Sequence, residues 1–213
     1  MEARMNDLDD REFEYDRLAT SLDRRAILAF AQQCSIRNMC SMDNLKHLSA
    51  VGELAARYAD SLEDDIDLME QRYRRQVCEA AGYLHEAMLQ GCRFEDIIRL
   101  ADEAVARTVS SITPDIRSPA PVRTCDAANR VGNGDVMAQI VKLADLRHEC
   151  GRKEAMAETE PGKVREWLNE AVVIVGSFHK LTHTPLAARV GALKRALEAL
   201  DVKTRAHRRR TAV

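Results

Sequence analysis

Residues 82–86 read Gly82-Tyr83-Leu84-His85-Glu86 and close a long run of helical periodicity, while Val141-Lys142-Leu143-Ala144-Asp145 lies inside a later one. A histidine beside an acid on a helix can present one imidazole and one carboxylate to a single divalent cation. Another His and a further Asp from neighbouring helices would complete such a pocket, which is how helical bundles build metal sites. Mixed nitrogen and oxygen ligands suit Mn, Fe, Ni or Zn. Taken alone, His85-Glu86 more often marks a solvated helix end, so the remainder of the chain has to decide.

Outward from these strings, helical spacing appears almost everywhere. Leu22 to about Gln33 and His47 to Tyr58 read as short helices, with Ser41 or Asp43 available to cap the second. Apolar residues from Leu62 to Met88 keep helical spacing between Ser61 and Gln90, predicting one long helix that Gly91 closes. Phe94 to Val109 reads as another, stopped by Thr113-Pro114. Residues 114–134 hold Pro114, Pro119, Pro121, Gly132 and Gly134, so a connection with a helical turn or two around Val122 to Asn129 is expected. Asp135 stands where an N-cap is wanted, Pro161 opens the next helix, and Thr184-Pro185 read as N-cap and N1 of the last. Val172-Val173-Ile174-Val175 has strand propensity, but its flanks hold a helical period, and helix is expected there too. The fold class is all-α.

Bulk properties agree. The 213 residues are 46% hydrophobic but only 4% aromatic, so a core must be built from Leu, Ala, Val, Ile and Met. Nine Gly and five Pro are too few for the turns of an all-β fold. A net charge of −2 gives no general pull on nucleic acid, which makes it an improbable partner. Charge is uneven, however: residues 1–20 form an acidic arm, 21–202 the helical domain, and 203–213 a basic tail. Both ends read as solvated, partly disordered segments, with non-specific phosphate contact as the sharper reading of the tail. No secretory pattern opens the sequence and no apolar run is long enough to span a membrane. The six cysteines form no CxxC pair and read as reduced thiols, so the expected compartment is the cytoplasm.

Patterns for a serine hydrolase, a phosphate loop or a dinucleotide fold are absent. Gly132-Asn133-Gly134 before a helix could bind an anion through its amides, although a plain turn is the commoner use.

The two strings, and what lies between them, resemble the hydrolase domain of the RelA/SpoT family, a branch of the HD superfamily of metal-dependent phosphohydrolases. That domain has a helix ending in Ala-Leu-Leu-His-Asp, then a Thr-Asp-Asp turn, then a helix with Lys-Leu-Ala-Asp. Here these become Gly82 to Glu86, Thr113-Pro114-Asp115 and Lys142 to Asp145, in the same order and at similar spacing. Val164 to Leu200 resembles the two closing helices. His47, in Lys46-His47-Leu48-Ser49-Ala50-Val51, fits the family's first metal histidine. The resemblance implies a multi-helix HD bundle and a divalent metal, manganese first, held by His47, His85 and Asp145, with Glu86 in the place of the HD aspartate. It also implies a small-molecule nucleotide as substrate or ligand, guanosine tetra- or pentaphosphate among the candidates, and Lys142, Arg123 and Arg37 as phosphate contacts.

Two departures bear on activity. Glu86 is longer than Asp by one methylene, about 1.5 Å of extra reach. The family continues with a Glu-Asp pair that orients or activates water, and here Leu89 and Gln90 stand there, so no general base is assigned. Simpler HD phosphohydrolases manage without the pair, because the cation itself acidifies water. Hydrolysis of a nucleotide phosphoester is therefore the expected activity, with a degenerate regulatory domain that binds nucleotide or metal as the alternative.

Overall fold

Aspartates start four of the helices by spending a carboxylate oxygen on an otherwise unpaired first-turn amide, Asp23 accepting from Arg25 N at 2.8 Å. Asp67 accepts from Glu70 N at 2.8 Å, Asp102 from Val105 N at 2.8 Å, and Asp135 from Ala138 N at 2.8 Å. In the computed structural model, residues 22–37, 42–62 and 66–211 are described, with side chains left out at 35–37, 42 and 208–211. The helices are α1 (Arg24–Arg37), α2 (Met42–Asp60), α3 (Leu68–Leu84), α4 (Phe94–Leu100), α5 (Glu103–Ile112), α6 (Ala120–Asn133), α7 (Val136–Met156), α8 (Pro161–Gly176) and α9 (Ala187–Thr211), with a 3₁₀ turn at His179–Leu181. There is no strand among the described residues, and the all-α class stands.

The caps explain where the helices differ from the periodicity. The long helix expected over Ser61 to Gln90 is only Leu68–Leu84, because the Asp67 cap sets its start and His85 to Gln90 fold as successive turns. Gly91, at φ +91°, ends those turns: Gly91 N donates to Met88 O and Cys92 N reaches back to Ala87 O. The single helix expected from Phe94 to Val109 is two, divided at the Asp102 cap. Residues 114–134 are far more helical than their prolines suggest. Pro119 and Pro121 flank the start of α6, where a missing amide costs nothing. Asp43 lies inside the first turn of α2, and the last helix begins a turn after Thr184-Pro185. Ser41 and the acidic arm 1–20 lie outside the described residues. The basic segment is not a loose end through 211: α9 runs on unbroken to Thr211.

Helix α7 is the spine. It packs against α2, α3, α5, α6, α8 and α9, burying Ile140, Val141, Leu143 and Ala144 completely. Truncating a buried leucine such as Leu143 to Ala would cost about 2–5 kcal/mol.

The most extensive helix pair is α2 with α3. These two cross at Gly52 and Gly82, where a β-carbon on Gly82 would stand 2.5 Å from the Gly52 Cα. Glycine at both positions lets the backbones touch. That close crossing sets His47, one turn before Gly52, beside His85, just past Gly82.

Candidate metal centre

Three ligand-type side chains from three different elements meet in the bundle. His47 comes from α2, His85 from the end of α3 and Asp145 from α7; one ligand atom of each lies within 4.8 Å of the others, and all three residues are buried. His47 Nε2 is 3.2 Å from His85 Nε2 and 3.4 Å from Asp145 Oδ1, and His85 Nε2 is 3.6 Å from the same oxygen.

Each member is oriented from behind. His85 Nδ1 is 2.7 Å from the carbonyl of Gly82, which can only accept, so the proton sits on Nδ1 and the Nε2 lone pair faces the cluster. Lys142 Nζ lies 2.7 Å from Asp145 Oδ2, leaving Oδ1 to the histidines. His47 Nδ1 points the other way, 2.8 Å from Nδ1 of His148 and 3.8 Å from Glu149 Oε1.

The electrostatics favour the ligand forms of two of them. Burial, helped by neighbouring His47, lowers the His85 pKa against the pull of Asp145 and Glu86, so the imidazole is readily neutral. Burial opposes ionisation of Asp145, but the Lys142 ammonium and then the histidines outweigh it and hold the carboxyl well below its usual range. His148 is also lowered, by desolvation first and then by His47.

Glu86 is not among the three. Its longer side chain is turned to Asn44, whose Nδ2 donates to Glu86 Oε2 at 2.9 Å, and to Gln90 Nε2 at 3.2 Å. Lys142, a candidate phosphate contact, sits against Asp145 with its side chain only 18% exposed. Arg123 pairs with Glu170 on α8 at 3.4 Å. The Arg37 side chain lies outside the described residues. Gly132-Asn133-Gly134 is no anion loop: Gly132 and Asn133 belong to α6, Gly134 N caps onto Arg130 O, and Asp135 already occupies the N-terminus of α7.

Two features escape a reading of the sequence. His148 stands three residues after Asp145, hence on the same helix face, which was its only signal. A cavity of about 330 Å³ opens on the turns after His85, lined by Leu89, Thr113, Asp115, Arg117 and Arg130 among others. Both arginines there are held by carboxylates, Arg117 by Asp115 and Arg130 by Asp126.

With two nitrogens and a carboxylate oxygen buried together, the donor set fits a divalent transition metal with coordination positions to spare. A solved structure shares this fold. A metazoan ortholog of SpoT, reported to hydrolyse ppGpp and to play a role in starvation responses, matches 81% of this chain and 96% of its own, with a TM-score of 0.59 at 15% identity. The fold is the helical HD-domain fold. No protein-family model and no curated protein matches the sequence. Among the described residues, no helix is long and apolar enough to cross a membrane.

Proposed function

We propose that the chain is a metal-dependent phosphohydrolase of HD type acting on a nucleotide, with guanosine tetra- or pentaphosphate the first substrate to consider. The observation that carries this reading is the convergence of His47, His85 and Asp145 at 3.2–3.6 Å in a fold shared with a ppGpp hydrolase. These three residues would hold a divalent cation, manganese being the first choice. Such a cation supplies Lewis acidity toward a phosphate ester and acidifies a nearby water. The chain's own residues do the rest. Gly82 fixes the His85 tautomer, Lys142 keeps Asp145 ionised, and the surrounding apolar core excludes bulk water from the cluster. The cavity lined by Leu89, Arg117 and Arg130 would take a polyphosphate if the two arginines exchange a carboxylate for it.

A second reading, a regulator that binds metal or nucleotide without turnover, is favoured by one specific feature. Glu86 is engaged by Asn44 and Gln90, and Leu89 offers no proton acceptor.

Metal analysis and a hydrolysis assay on the purified chain separate the readings. We expect about one divalent transition metal per chain, lost in His85→Ala and Asp145→Ala because an incomplete ligand set cannot offset dehydration of the ion. Equal metal content in parent and variants would remove the centre. Metal retained with no phosphate released from guanosine tetraphosphate or from nucleoside monophosphates would favour the regulator.

A further inference from the structure

Outside the metal centre, two thiols distant in sequence lie in contact. Cys34 on α1 and Cys92, just after the Gly91 turn, place their sulfurs 2.8 Å apart, and both are thiols here. Cys34 is buried, while Cys92 is partly exposed on a cavity of about 420 Å³ that both residues line with Phe30, Gln90, Gly91 and Arg99. A disulfide needs sulfurs about 2.05 Å apart, so closure asks for about 0.75 Å of approach between groups already in contact.

We propose that Cys34 and Cys92 are a reversible disulfide site, oxidised by small-molecule disulfides that enter this cavity. The Cys92 thiolate, being the accessible one, attacks a sulfur of the small disulfide and expels one small thiol. The Cys34 thiolate then attacks the Cys92 sulfur and expels the second. Two protein S–H bonds become one S–S bond, and the two small thiols carry away the two protons and the two electrons. The bond would join α1 to the turn segment that carries Glu86 and Gln90. Cys92 N already bonds Ala87 O at 3.0 Å, and Gln90 bonds Glu86 through both backbone and side chain. Oxidation therefore braces the turns that follow His85 without involving any of the three ligand-type residues.

The test needs no substrate. The intact chain is equilibrated in buffered mixtures of reduced and oxidised glutathione, quenched in acid, alkylated and mapped by mass spectrometry. The expected product has lost two hydrogens and yields a crosslinked peptide pair containing Cys34 and Cys92, reversed by dithiothreitol. Because the bond closes a loop of 58 residues, the oxidised form should melt higher by roughly 5 °C or more. Cys34→Ser and Cys34→Ala should each abolish the crosslink and leave glutathione attached at Cys92. A crosslink between other cysteines overturns the proposal. So does independent alkylation of Cys34 and Cys92 at every glutathione ratio, a result that requires no variant to fold.

Discussion

His47 and His148 face each other through their Nδ1 atoms at 2.8 Å, their rings tilted by 43°. If His47 offers its Nε2 lone pair to a cation, its proton must sit on Nδ1, and His148 Nδ1 is the acceptor that holds it there. His148, on the same helix as Asp145, would then act as a positioning residue for His47.

Replacing His148 by Ala should weaken metal binding by about 10–100-fold while leaving the three ligand-type residues in place. His148→Gln should recover part of the loss, because its carbonyl can accept the same proton. Competition titration with a chromogenic chelator reads this directly. Unchanged affinity in His148→Ala would assign His148 to packing alone.

The Gly52–Gly82 crossing yields a prediction whose sign opposes helix propensity. Alanine is better than glycine inside a helix by about 1 kcal/mol. Gly82→Ala should nevertheless destabilise by about 1–3 kcal/mol, since its methyl would meet the Gly52 backbone at 2.5 Å and push α2 from α3. Metal retention should fall with it. Gly151→Ala on α7, with nothing within 4 Å of the added carbon, should stabilise by about 0.5–1 kcal/mol. Urea denaturation of both variants checks the contrast, and a stabilised Gly82→Ala would show that the crossing is not tight.

Much of the fold was legible because apolar periodicity marks most of the helices, and the Asp135 cap and the Pro161 start could be read from single residues. Two of the misplaced boundaries came from carboxylates, whereas the helix at 120–133 was missed because its prolines sit at the helix start. Asp67 and Asp102 interrupt apolar runs through side-chain bonds to amides, and Tyr73 Oη also donates to Asp102 at 3.2 Å, neither of which periodicity can detect. At the site, the resemblance to the RelA/SpoT hydrolase domain brought His47, His85 and Asp145 into one argument, and their side chains do meet. The direction of Glu86 was not legible, because it depends on Asn44 from another helix. The Cys34–Cys92 contact likewise spans two segments with no shared pattern.

Asp115 offers a pH-dependent signal on the cavity that opens at the turns after His85. The Arg117 guanidinium and backbone amide both donate to its carboxylate and hold its pKa down to about 2. In the unfolded chain an aspartate titrates near about 3.9. The folded value is the lower one, so this contribution to stability is fully present above about 3.9 and is lost as pH falls toward 2. Carboxyl-detected NMR titration should place the Asp115 midpoint well below those of unpaired aspartates, and Arg117→Gln should move it upward. An ordinary midpoint in the parent would mean that the pair does not persist in solution.

The altered positions after His85 are testable by restoring what the resemblance leads one to expect. Leu89 is 38% exposed and carries no proton acceptor, and Gln90 donates to Glu86 instead of facing water as a base. Hydrolysis of guanosine tetraphosphate by the parent should therefore be slow even with manganese supplied, since a placed general base contributes about 10²–10⁴-fold. The triple variant Glu86→Asp, Leu89→Glu, Gln90→Asp should raise the rate toward that range. Shortening Glu86 withdraws the carboxylate from Asn44, and the new acids stand on the turns that follow His85. Single changes should do little, because groups that act as a unit are strongly non-additive. Phosphate release from the tetraphosphate and from nucleoside monophosphates, measured side by side, decides the matter. Rapid turnover by the parent would mean that another residue supplies the base. A triple variant that binds manganese yet releases phosphate from neither substrate would favour a domain that binds without catalysing.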